Sequence, residues 1–197
     1  LASNIAALGI DPLRIRSLFL THSHYDHVDG LPAFLDLNGS IAAYIPQYFS
    51  TALPSIASSV ISHGGTVTYI AGPAPICRAS ESTGELPGVP VEQTLLLRTS
   101  EGTVVINSCA HPGIVYTIER AKLQIDAPVC LVMGGFHLFD KSDQVVNDII
   151  AHFKSLGVRK VAPSHCSGDR ARFLFQQAYG ENYLNAGIGA VFTIGAR

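Results

Sequence analysis

Seven consecutive residues, Thr21-His22-Ser23-His24-Tyr25-Asp26-His27, place three imidazoles and a carboxylate directly after the apolar run Ile15-Arg16-Ser17-Leu18-Phe19-Leu20. The whole chain has 8 histidines in 197 residues, so this cluster is far from an even spread. Imidazole and carboxylate are the usual ligands of zinc and related divalent ions. Buried without partners the same groups would cost stability, which makes a metal site the simplest account of the pattern. A tight turn after the strand lets His22 and His24 face one ion while Asp26 and His27 face a second. Two neighbouring ions need about six donors in a small volume, so distant residues such as His111 and His165 must close the site.

The rest of the chain offers places for them. Apolar periodicity alternates between short β-branched runs and longer helical patterns, which predicts an α/β layered domain. Ile15 to Leu20 reads as a strand running into the cluster, Gly30 to Leu37 as a short helix, and Thr66 to Ala71 as a further strand. Tyr48 to Ser62 reads as a longer helix interrupted at Pro54. Gly72 to Pro90, rich in Pro, Gly, Ser and Thr, reads as a crossing loop with a short strand around Ile76-Cys77-Arg78. Thr94 to Arg98 and Thr103 to Ile106 flank Ser100-Glu101-Gly102, a hairpin signal. Three similar units follow. Val104-Val105-Ile106 leads to His111, Val129 to Met133 to His137, and Lys160-Val161-Ala162 to His165, each strand followed by a helical pattern. Strand-to-helix junctions are where open α/β sheets build their sites.

Composition bounds the answer. With 47% hydrophobic and 14% charged residues, residues 1–197 are expected to form a single globular domain, and disorder is not expected. A net charge of −2 and a pI of ≈ 6.5 provide no basic field for a nucleic-acid backbone. The chain has no uninterrupted apolar run of about eighteen residues, and no basic start followed by an apolar stretch, so neither a membrane span nor a leader is expected and a cytoplasmic location is the default. The 4 cysteines, Cys77, Cys109, Cys130 and Cys166, form no CxxC pair and read as reduced thiols.

The cluster together with Val28-Asp29-Gly30-Leu31 resembles the HxHxDH signature of the metallo-β-lactamase fold superfamily. Ser108-Cys109-Ala110-His111-Pro112-Gly113-Ile114-Val115, Gly134-Gly135-Phe136-His137-Leu138 and Pro163-Ser164-His165-Cys166-Ser167-Gly168 resemble one branch of it. That branch comprises the metal-dependent hydrolases named after dihydropterin-ribofuranosylaminobenzene phosphate synthase. The resemblance runs from about Asn4 to Tyr179 and implies an α/β fold of the αβ/βα sandwich type. It also implies that His22, His24 and His111 hold one metal, with Asp26, His27 and His165 around the second. Asp26 and His137 are the catalytic candidates; His137 could orient substrate, donate a proton, act as a ligand or make a structural hydrogen bond. Relative to the family the chain starts without the first N-terminal strands, as a fragment would, or as a chain whose strands are supplied by another would. No Gly-Asp follows the later strands, so the usual bridging aspartate has no counterpart.

The expected function is therefore a metal-dependent hydrolase with two divalent ions, Zn²⁺ by preference and Mn²⁺ or iron as alternatives. Its expected partner is a small-molecule substrate, phosphorylated or pterin-like, and a homo-oligomer is compatible with the sequence. A diiron redox protein and a catalytically silent truncated homologue are the competing readings. Cys109 and Cys166 flank the expected ligands and either tune them or simply pack. His63 before Gly64-Gly65 reads as a helix C-terminal cation, and His152 as part of an amphipathic helix. Tyr25 faces substrate or packs, Ser82-Thr83-Gly84-Glu85 reads as a plain turn, and Arg170 and Arg172 as surface arginines.

Overall fold

A computed structural model describes residues 1–195. Helix α1 (Ala2–Ala7) leads into a sheet of three parallel strands, β1 (Ser17–Phe19), β2 (Ala42–Pro46) and β3 (Thr66–Ile70), in that spatial order. Parallel neighbours require crossovers. The first contains α2 (Tyr25–Val28) and α3 (Leu31–Leu35), and the second α4 (Phe49–Ala52) and α5 (Pro54–Ser62). Ala43 and Ile45 of β2 pack with Phe34, Leu35, Phe49 and Val60 of these helices. The helix expected over Tyr48–Ser62 is in fact two. Pro54 opens α5, where its missing N–H has no helical partner to lose, and Leu53 before it has left the helical region at φ −140°, ψ 57°.

The second sheet has six strands in chain order: β4 (Ala74–Cys77), β5 (Ser80–Ser82), β6 (Leu95–Thr99), β7 (Gly102–Asn107), β8 (Val129–Gly135) and β9 (Lys160–Ser164). Pairing is antiparallel from β4 to β7 and parallel from β7 to β9. Helices α6 (Ile114–Gln124), α7 (Asp143–Ser155) and α8 (Asp169–Tyr179) follow β7, β8 and β9. Alternation along the strands divides the sheet faces. Val105, Val132 and Val161 pack against the helices, while Val104, Leu131 and Ala162 face the other way, against Leu184, Ala186 and Ile194. Phe136, Phe153 and Phe175 anchor the helical side, each at most 1% exposed, with ring centroids 5.3 to 5.6 Å apart in tilted or edge-on contacts.

The segment 72–90 departs from expectation, because it contains the β4–β5 hairpin and not one short strand in a loop. Strands are legible in sequence as apolar alternation. Here the inward residues of β5 are Ser80 and Ser82, both buried, so the alternation is present but polar. No helix among the described residues is long and apolar enough to cross a membrane.

What this fold does for function is bring ends together. His111, His137 and His165 follow the C-terminal ends of three adjacent parallel strands, and His22 follows the end of β1. The aromatic trio beneath them sets the stability of that platform: Phe153→Ala should cost about 3–5 kcal/mol. A urea titration should show this as a lower midpoint with an unchanged slope.

Candidate metal centre

The histidines converge. Ligand atoms of His22, His24 and His111 all lie within 4.8 Å of one another, and so do those of Asp26, His27 and His165. In the second group His27 Nε2 is 3.1 Å from His165 Nε2 and 3.3 Å from Asp26 Oδ2, and His165 Nε2 is 3.4 Å from the same oxygen. Donors held about 2.0–2.2 Å from one tetrahedral ion stand about 3.3–3.6 Å apart, so these atoms need little movement to share one. His137 belongs to neither group. Its ring stands 4.8 Å from that of His111, beside a cavity of ≈ 340 Å³ bounded by Ile114, Tyr116, Leu138, Lys141 and Ile149.

One residue outside the expected set organises the first group. Glu92, fully buried, accepts hydrogen bonds from Cys109 N at 2.8 Å, Ala110 N at 3.1 Å and His111 N at 2.9 Å. A fourth comes from His111 Nδ1 at 2.8 Å. Ala110 takes φ 64°, which turns three successive N–H groups towards a single carboxylate, an anion-binding nest. Burial alone would raise the Glu92 pKa, but the His111 imidazole and the backbone N–H groups of Cys109 and His111 outweigh it and hold the carboxyl at about 2. A carboxylate can only accept, so the His111 proton sits on Nδ1 and its Nε2 presents a lone pair. Nothing in the sequence marks Glu92 beyond its being an acid next to an amide shortly before β6.

The same logic repeats around the cluster. Thr21 Oγ1 is 2.9 Å from His22 Nδ1 and Ser108 Oγ is 2.8 Å from His27 Nδ1, so each hydroxyl can accept a hydrogen bond from Nδ1–H and leave the Nε2 lone pair for the site. His22 Nε2, His111 Nε2 and His137 Nδ1 are buried and have no hydrogen-bond partner. A buried orphan nitrogen costs about 1–3 kcal/mol. The orphaned Nε2 atoms of His22 and His111 belong to one group of close donor atoms, which a divalent ion would satisfy, and the donor set of imidazoles and one carboxylate suits zinc or a related ion.

Backbone strain gathers at the same place. Among the described residues, the non-glycine residues at positive φ are Ala110, His137 and His165 (64°, 52° and 49°), one beyond each of β7, β8 and β9. Such conformations cost about 1–3 kcal/mol each and cluster at functional sites.

Other candidates fall outside. Tyr25 is 75% exposed. His63 caps α5, with Nδ1 2.7 Å from Ser59 O, and His152 bonds Asp148 O on the surface of α7. Arg170 pairs with Asp143 and Arg172 with Asp169 and Asn185. The segment Ser82–Glu85, expected as a plain turn, runs on from a strand instead: Ser82 ends β5, Thr83 N donates to Thr94 O at 3.0 Å, and Glu85 Oε1 accepts from Tyr48 N at 2.6 Å. Of the thiols, Cys109 is buried with Sγ 3.4 Å from His27 Nε2. The closeness of the Cys166 thiol pushes the Cys109 pKa up, and the closeness of the Cys109 thiol, as the first cause, brings that of Cys166 down.

Comparison with known proteins agrees with this architecture. The family described as the metallo-beta-lactamase superfamily matches residues 1–122. The 7,8-dihydropterin-6-methyl-4-(beta-D-ribofuranosyl)-aminobenzene-5'-phosphate synthase of Methanocaldococcus jannaschii is 25% identical, over 93% of this chain and 78% of that protein. The crystal structure of Tm1679, a metal-dependent hydrolase of the beta-lactamase superfamily, superposes with a TM-score of 0.81 at 24% identity, over 98% of this chain and 84% of that one. The metallo-beta-lactamase fold protein YhfI from Bacillus subtilis gives 0.65 at 12% identity, over 93% and 79%. At those identities the two structures establish the fold alone, and it is the α/β fold expected from the sequence.

The buried groups fix how the metal-free protein responds to acid. His22 is pushed down to about 3, chiefly by burial, from its ordinary 6.5, and Glu92 to about 2 from 4.5. In both cases the unfolded chain binds protons that the folded chain refuses, so stability rises with pH across these windows. The metal-free protein should therefore lose stability progressively as pH falls from about 6.5 to about 2. Urea midpoints at pH 7.5, 5.5 and 4 check this; equal midpoints would contradict it.

Proposed function

The chain belongs to the metallo-beta-lactamase superfamily, and from that premise we propose that it is a metal-dependent hydrolase with two divalent ions, zinc by preference, acting on a small molecule. The observation that carries the reading is the orphaned inward nitrogens of His22 and His111, each fixed from behind by a hydrogen bond at Nδ1. His22, His24 and His111 would hold one ion, and Asp26, His27 and His165 the other. Bound there, such ions supply Lewis acidity and lower the pKa of water towards neutrality.

The chain's own residues supply orientation and proton handling. Glu92 keeps the His111 proton on Nδ1, so that Nε2 is always a donor to the site. Asp26, 39% exposed at its side chain, can accept a proton from solvent or substrate. His137 stands beside the first group without joining it, its Nδ1 free of partners, where it can protonate a leaving group or orient the substrate. The adjoining cavity is walled mainly by apolar side chains, with Lys141 as a cation, a lining suited to a ring-bearing anionic molecule. A phosphorylated or pterin-like substrate is the class this reading favours, in keeping with the name of the archaeal relative.

Metal content per chain, with an absorption spectrum on the same sample, tests the reading. Two ions and a colourless protein are expected; visible absorption from iron would favour redox chemistry, and an empty folded chain a silent homologue. His22→Ala and Asp26→Ala should each lower metal content and abolish turnover. Glu92→Gln should weaken metal affinity by about 10–100-fold, as loss of a ligand's hydrogen-bond partner does. His137→Ala should reduce turnover more than metal content, and His152→Ala should change neither.

A further inference from the structure

Two thiols beside the cluster have no part in the proposed hydrolysis. Cys109 is buried just beyond β7, and Cys166 is half-buried in the turn after β9. Their strands are not neighbours, since β8 runs between them. Gly135, the last residue of β8, lets them meet. A Cβ there would stand 2.2 Å from Ser108 O and 2.7 Å from Cys166 Sγ, so the loops from β7 and β9 close over a position that has no side chain. Across it Cys166 Sγ reaches to 3.6 Å from Cys109 O, and the two sulfurs lie within 4.8 Å of each other and of a ring nitrogen of His165. Cys130 is buried at Thr103 O and Cys77 is exposed beside Ser80, so neither has this arrangement.

We infer that Cys109 and Cys166 are a peroxide-sensitive dithiol that closes to an intrachain disulfide and loosens the group formed by Asp26, His27 and His165. The effect on metal rests on the proposed function; the disulfide does not. The more accessible Cys166 sulfur attacks one oxygen of hydrogen peroxide, the O–O bond breaks, and hydroxide leaves to take up the thiol proton as water. The Cys109 sulfur then attacks the resulting sulfenic acid. An S–S bond forms, the S–O bond breaks, and the second water carries away the Cys109 proton. Two thiols lose two electrons and one peroxide is reduced to two waters. Coupling to the site is by direct attachment. Cys109 Sγ packs 3.4 Å from His27 Nε2, its neighbour Ser108 holds His27 Nδ1 at 2.8 Å, and Cys166 adjoins His165, which is already in a left-handed conformation. Drawing the sulfurs together therefore shifts both histidines of the pair.

The test uses the Cys77→Ser protein loaded with Zn²⁺ and treated with hydrogen peroxide. An intact-mass loss of about 2 Da, a peptide map linking Cys109 to Cys166, and a lower zinc content, all reversed by dithiothreitol, are expected. Cys109→Ser and Cys166→Ser added to that background should each abolish the link. Mass gain by oxygen addition without a link, or a link to Cys130, overturns the pairing, and a link with unchanged zinc content overturns the coupling. A reduced protein that holds no zinc overturns the coupling together with the hydrolase reading, while the mass and the peptide map still report the disulfide.

Discussion

Everything at this site depends on a buried carboxylate that is fully spent on its neighbours. Glu92 takes four hydrogen bonds from the segment Cys109–His111, and only an ionised acid could satisfy three converging N–H groups and an imidazole at once. The next residue bridges the two sheets. Gln93 Nε2 donates to Leu20 O at 2.7 Å, its backbone N–H to Thr21 O at 3.0 Å, and its Oε1 accepts from Ser82 Oγ at 2.7 Å. Two consecutive side chains thus hold the loop that carries His111 and the strand end that carries His22. The rings of those two histidines stand 4.6 Å apart as a result.

The polar network continues beyond this pair. Thr94 Oγ1 donates to Asn107 Oδ1 at 3.0 Å, and Asn107 Nδ2 to Gly135 O at 2.6 Å, tying the ends of β7 and β8 just below His137. Buried polar groups joined in this way rigidify a core when every member is satisfied. Against that background the unsatisfied atoms stand out, because those on His22, His111 and His137 belong to neighbouring rings, with His111 4.6 Å from His22 and 4.8 Å from His137. The strained residues Ala110, His137 and His165 gather there too, held by the sheet beneath them.

Much of this was legible in the sequence, and for different reasons. The local cluster at positions 22–27 needed only composition. Its convergence with His111 and His165 followed from strands of equal role ending in histidine, and those strands are adjacent and parallel. What escaped was polar and buried. Glu92 and Gln93 carry no periodic signal, since their value lies in partners far along the chain, and the β4–β5 hairpin hides because serines take the place of apolar inward residues. Hydrophobic patterning reports what avoids water, and it is silent where a core is built from matched hydrogen bonds.

The adjacency of Glu92 and Gln93 also determines what kind of sequence change the molecule can absorb. Successive side chains of an extended chain project to opposite sides: Glu92 serves the loop after β7, while Gln93 reaches the end of β1 and Tyr44 of β2 and joins them to Ser82 of β5. Many substitutions in the flanking loops would leave that division intact. Inserting one residue between the two anchors would turn one of them away from its partners, so chain length here is constrained more tightly than residue identity around it.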